Sequence, residues 1–137
     1  MLDQSPQNQN QHGRWAAWIQ MPTASGELYP PAAAALGVPL WRLLVLQVVE
    51  VNTAMRAAEA LLRGGAARLV AMDMGADAKP LRLSTYHRLR HQVMDSGAAL
   101  VFLSPHSIVP ADYRIDLNQS REATGSLSAQ ALRMVRA

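Results

Sequence analysis

The sequence predicts an α/β fold in which helices flank a mainly parallel sheet. Short apolar runs of strand length alternate with amphipathic segments of helical period, and glycine or proline stands at most boundaries between them. Strand–helix–strand order implies right-handed crossovers, which make successive strands parallel in one sheet. The chain has 137 residues, the size of a single domain.

The composition narrows the classes of protein to consider. Half of the residues are hydrophobic and 17% are charged, as in globular domains. The chain has no cysteine, which excludes disulfides and thiolate metal sites and suits a reducing cytoplasm. No run approaches 18 apolar residues. We expect a cytoplasmic protein with no membrane span, whose Gln- and Asn-rich residues 1–13 form a disordered polar arm.

The first half of the chain predicts two strands around a short helix. Residues 14–20 (RWAAWIQ) form a buried strand that Pro22 stops. Two prolines open the helix in residues 30–36, because proline fits the first turn, and Gly37 can cap its end. Residues 43–47 predict the second strand.

The clearest predicted helix covers residues 52–63. Its apolar face comprises Met55, Ala58, Leu61 and Leu62, and its polar face Arg56, Glu59 and Arg63. Asn52 or Thr53 can cap its start, and the glycine pair at 64 and 65 ends it.

Two further strands surround a second long helix. Residues 68–72 are a continuous apolar run of the kind that is buried on both faces of a sheet. Residues 80–95 predict a helix closed by Gly97, and residues 98–103 another apolar strand. The inward positions of this helix are Tyr86, Leu89 and Val93.

The C-terminal part predicts a half-exposed strand with alternating polarity, at Tyr113, Ile115 and Leu117. A polar turn containing Gly125 follows. Residues 127–135 fit either a returning antiparallel strand or a short helix, and we favour the hairpin.

The helix over residues 80–95 is also a candidate binding surface. It carries no acidic residue before Asp95. Its outward residues are suited to binding DNA phosphates or an acidic partner, and the alternative is an ordinary solvated surface. Trp41, in a Pro-Leu-Trp-Arg turn, is a candidate interface residue, although core packing is the favoured alternative. The candidate partner-binding residues are Trp41, Arg82, His87, Arg88 and His91. Arginines crowd the i, i+4 histidine pair, so we predict no metal site.

No segment matches the phosphate-binding pattern G-x-x-x-x-G-K-[ST], and the single lysine, Lys79, does not follow a glycine. That loop holds phosphates through backbone N–H groups and its lysine. We therefore expect no nucleotide cofactor and no enzymatic activity.

Four segments, GRWAAWIQ, LGVPLWRLLVLQ, AEALLRGGAARLVAMDM and SGAALVFLSP, resemble the RecA superfamily in their order. The resemblance places Asp73 at the Walker B aspartate and covers residues 13–136, which start too late for a phosphate-binding loop. It implies a truncated RecA-like domain over residues 14–137 with a C-terminal antiparallel hairpin. Gln20-Met21-Pro22 stands where that family's ATPases carry the acid that orients water, so the resemblance implies an inactive domain.

Within this superfamily the pattern R-W-x-x-W-x-x-x-P, from Arg14 to Pro22, and the segment ALLRGG resemble the ImuA and SulA families. Resemblance to ImuA implies an adaptor of the SOS response to DNA damage that supports translesion synthesis with an ImuB-like polymerase homologue or RecA. Resemblance to SulA implies a cell-division inhibitor that binds FtsZ. A third hypothesis is a DNA-binding module that uses the basic helix. Lack of the P-loop strand and helix would leave apolar surface or a strand edge uncovered, so we also expect a homodimer or a partner complex.

Overall fold

The computed structural model describes residues 15–22, 26–118 and 126–133. The strands are β1 (Trp15–Gln20), β2 (Leu43–Gln47), β3 (Ala67–Asp73), β4 (Ala99–Ser104), β5 (Tyr113–Asn118) and β6 (Ser126–Arg133). The helices are α1 (Pro30–Ala35), α2 (Val51–Arg63) and α3 (Leu83–Ser96), and a 3-10 turn covers Leu40–Arg42. The arm predicted over residues 1–13 lies outside the described residues.

One sheet carries the fold, with strand order β2-β1-β3-β4-β6-β5. The first four strands in this order are parallel, so the predicted parallel α/β architecture is confirmed. The strand β6 runs antiparallel to both β4 and β5. The strand β6 pairs with the edge of β4 that faces away from β3. The outer strands of the described sheet are therefore β2 and β5.

The core lies between one face of the sheet and the helices α2 and α3. Cross-strand neighbours on this face form two buried rows, Ala17, Val70 and Leu100 in one, and Ile19, Met72 and Phe102 in the other. The helices add Ala58, Leu62, Leu89 and Val93 to the same core. The predicted inward face of α3 is therefore confirmed. Burial on this scale is the main favourable term in folding.

The helix ends follow the predicted glycines, and α1 begins at Pro30 as predicted, but the starts of α2 and α3 differ from prediction. Gly37, Gly65 and Gly97 all adopt positive φ, where a residue with a Cβ is strained. The predicted side-chain cap of α2 is wrong, because the helix begins at Val51 without a capping side chain. The helix α3 begins three residues later than Pro80, since the Leu81 amide donates to the Ile108 carbonyl at 2.9 Å and holds this segment outside the helix.

The opposite face of the sheet is covered much less. Leu69, in the middle of β3, is 40% exposed, so the prediction that this strand is buried on both faces is wrong at Leu69 but holds at Ala71 on the same face. The physical reason is that α1, the helix beside Trp18, has only six residues. Tyr113 and Ile115 of β5 are exposed as well.

None of the helices in the described ranges is long and apolar enough to cross a membrane.

Candidate functional site

A cleft of about 750 Å³ opens where β1, β2 and β3 end. Its apolar floor includes Met21, Met55 and Met74, which follow β1, lie on α2 and follow β3, respectively. All three methionines are buried. The charged groups around it are Arg56, Lys79, Arg82, Arg88, Glu59 and Asp77. We call this feature the strand-end cleft.

The structure separates the predicted binding residues into three groups. Arg82 and Arg88 line the strand-end cleft. His87 and His91 are exposed on α3 but do not line it. Trp41 lies in the 3-10 turn before β2. The basic helix is thus not one continuous site.

The sequence predicts that Arg88 points outward into solvent. Its side chain is 56% exposed, but it also contacts α2. Its Nε donates to Oε1 of Glu59 on α2 at 2.6 Å. Glu59, which lies on the polar face of α2, is only 9% exposed. The reason is the packing of α3 against α2, which covers the carboxylate and supplies its cation. Arg63, four residues further along α2, also approaches Glu59, but at 4.0 Å it is the weaker contact.

Two other basic residues of α3 also face carboxylates. Arg90 donates to Asp112 at 3.0 Å, and His91 lies 3.4 Å from Asp95. The ring of His87 lies against Tyr86, with 5.3 Å between ring centroids. The ion pairs of Arg88 and Arg90 reduce the positive field that this helix presents to a polyanion.

Asp73 and Gln20 are engaged by neighbouring backbone. The Gly75 amide donates to Oδ1 of Asp73 at 3.2 Å, which is the loop-capping contact of a carboxylate at a strand end. Burial raises the pKa of the Asp73 carboxyl above its usual range, and this hydrogen bond offsets part of the rise. The Gln20 amide donates to the Gly26 carbonyl at 3.0 Å and accepts from the Leu28 amide at 3.1 Å. Both side chains therefore hold loops.

A second candidate binding surface lies on the segment from α1 to β2, of which the sequence predicts only Trp41 as an interface residue. Trp41 is 66% exposed, so the favoured prediction of core packing is wrong, and the Arg42 guanidinium stacks 4.3 Å from the centre of its ring system. The other exposed large apolar side chains between α1 and the middle of β2 are Tyr29, Leu36, Val38, Leu40, Leu44 and Val45. We call these seven residues the β2-edge surface. Arg42 is the one charged residue in the sequence from 29 to 45, a signal that could have revealed it.

No model of a protein family matches the chain, and no curated protein matches it. Among solved structures the chain is similar to SulA from Pseudomonas aeruginosa, with 20% sequence identity and a TM-score of 0.46. The similarity covers 66% of this chain and 70% of that one. At this level it assigns neither a binding site nor a partner to the chain.

Proposed function

We propose that this chain is a non-catalytic adaptor that binds another protein through the β2-edge surface. The observation that carries this proposal is the concentration of exposed apolar side chains there. Seven of the fifteen large hydrophobic residues exposed in the described part of the chain belong to this surface. Extensive exposed apolar surface on a soluble protein marks an interaction site, and aromatic residues are enriched in interfaces.

The position of β2 strengthens the proposal. Among the strands that the structure describes, β2 pairs with β1 alone, so none of them covers its other edge. Exposed strand edges are usually blunted by charge, proline or a covering element. The sequence of β2, LLVLQ, has neither charge nor proline. An apolar edge of this kind is suited to being covered by a partner, either another protein or a second copy in a homodimer.

The non-catalytic part of the proposal rests on Asp73 and Gln20. Resemblance to RecA-type ATPases places the Walker B aspartate at Asp73 and the water-orienting acid near Gln20. Here the carboxylate caps its own loop, and the amide is engaged by the loop after β1. These engagements support a binding role in place of nucleotide hydrolysis.

The resemblance supplies the candidate partners. An ImuA-like adaptor of the bacterial DNA-damage response would bind an ImuB-like polymerase homologue or RecA. A SulA-like division inhibitor would bind FtsZ. Each of these partners is cytoplasmic, so the proposal includes that location. DNA binding through α3 has less support, because Arg88, Arg90 and His91 face carboxylates.

The test is a binding titration of the immobilised chain with purified ImuB-like homologue, RecA and FtsZ, beside a DNA duplex at 50 and 200 mM salt. We expect saturable binding of one protein, with little salt dependence because the surface is apolar. Binding of DNA alone, with affinity that falls steeply with salt, would replace the proposal with the DNA-binding hypothesis. Absence of any binding, together with a monomer by light scattering at high micromolar concentration, would refute it.

A further inference from the structure

The strand-end cleft lies at the point where the strand order reverses. From β1 the chain passes to β2 on one side and then crosses to β3 on the other side. In open α/β sheets, ligands bind in the crevice outside the carboxyl ends of the strands at this point. Met21 and Met74, which follow β1 and β3, both line the cleft, so it occupies that position. Its volume of about 750 Å³ is in the range of sites that hold small molecules.

The charge of the cleft selects the sign of the ligand. Four cations and two carboxylates line it, and the Glu59 carboxylate is already paired with Arg88. This leaves Arg56, Lys79 and Arg82 as lining cations that form no ion pair with any described residue. Both α2 and α3 begin at the cleft without a capping side chain, which adds to the positive potential.

The floor of the cleft favours a ligand that has an apolar part beside its charged group. The methionines at 21, 55 and 74 offer flexible, polarisable side chains that adapt to apolar groups of different shape. Val49 and Leu81 extend this apolar lining. A fully polar anion would leave the methionines unused, and an uncharged apolar molecule would leave the arginines unpaired.

We propose that the strand-end cleft binds a small amphipathic organic anion. Its apolar body lies on the methionine floor, and its carboxylate or phosphate group is bound by Arg56 and Arg82. Planar guanidinium groups bind both kinds of anion in bidentate fashion. None of the β2-edge residues lines this cleft, so the ligand proposal does not depend on the proposed protein partner.

The experiment uses methyl-13C methionine labelling and NMR of the whole chain. The probes are octanoate and octyl phosphate, with octyltrimethylammonium as the matched cation and inorganic phosphate as the matched polar anion. We expect the octyl anions to shift the methyl signals of Met21, Met55 and Met74. The signal of Met94, a half-exposed residue of α3 outside the cleft, should stay in place. Which octyl anion binds more tightly distinguishes a carboxylate ligand from a phosphate ligand.

The matched variants are Arg56→Gln combined with Arg82→Gln, and Arg63→Gln as the control. Arg63 lies on the same helix as Arg56 but does not line the cleft. We expect the double variant to bind the anion at least about tenfold more weakly, because charge-assisted hydrogen bonds are lost. The control should bind like the parent. Unchanged affinity of the double variant would overturn the proposal. So would equal shifts with octyltrimethylammonium, or binding of inorganic phosphate alone.

Discussion

Replacement of Trp41 by alanine should weaken binding of the protein partner by about 30-fold or more. Truncation of a hot-spot residue, a class enriched in tryptophan, costs about 2 kcal/mol or more of binding free energy. The Trp41 side chain is largely exposed, so the substitution should change the free energy of unfolding by no more than about 0.5 kcal/mol. The measurement is the dissociation constant for the partner, with thermal denaturation of the same variant.

The control for Trp41→Ala is Leu83→Ala. Leu83 is 66% exposed, the same fraction as Trp41, but it lies at the start of α3. The alanine variant at Leu83 should bind the partner like the parent protein. Parent-like affinity of the Trp41 variant, or equal weakening of both variants, would contradict the assignment of the interface to the β2-edge surface.

Replacement of Arg88 by glutamate should lower the free energy of unfolding by about 1–3 kcal/mol. It removes the cation 2.6 Å from the buried Glu59 carboxylate and puts a like charge in its place. Breaking a fully buried ion pair costs about 3–5 kcal/mol. The Arg88 side chain is 56% exposed, so solvent screening reduces this cost. Urea denaturation of the variant and the parent measures the difference.

Arg63→Glu is the matched comparison, because Arg63 approaches the same carboxylate from α2. Its side chain is 72% exposed and its nitrogen lies 4.0 Å from the Glu59 oxygen. This variant should lose less than about 1 kcal/mol, as exposed pairs do. Equal destabilisation by the two variants would mean that the ion pair between Arg88 and Glu59 contributes no more to the free energy of unfolding than the exposed pair with Arg63.

The sequence predicts the buried face of a helix when the apolar residues recur with helical spacing within that one segment. The spacing of Tyr86, Leu89 and Val93 predicts the inward face of α3, and Gly97 predicts its end, because both signals are local. The environment of Glu59 could not be predicted this way. Its main partner lies 29 residues further along the chain and reaches it only when α3 packs on α2.

The candidate sites depended even more on tertiary structure. An apolar residue such as Leu69 is predicted to be buried, but its exposure depends on how much of the second sheet face α1 covers. Trp41 is exposed for a related reason, because it precedes an outer strand. The strand-end cleft joins loops after three strands, and only the strand order brings Arg56 and Arg82 to the same opening.

Hydrogen–deuterium exchange of the free chain and of its complex tests the central claim most directly. Partner binding at the β2-edge surface predicts slower exchange of backbone amides in residues 40–47, since the free edge of β2 becomes covered. Amides of α3 should exchange at the same rate in both states. Slower exchange confined to α3, with residues 40–47 unchanged in a saturated complex, would contradict the account.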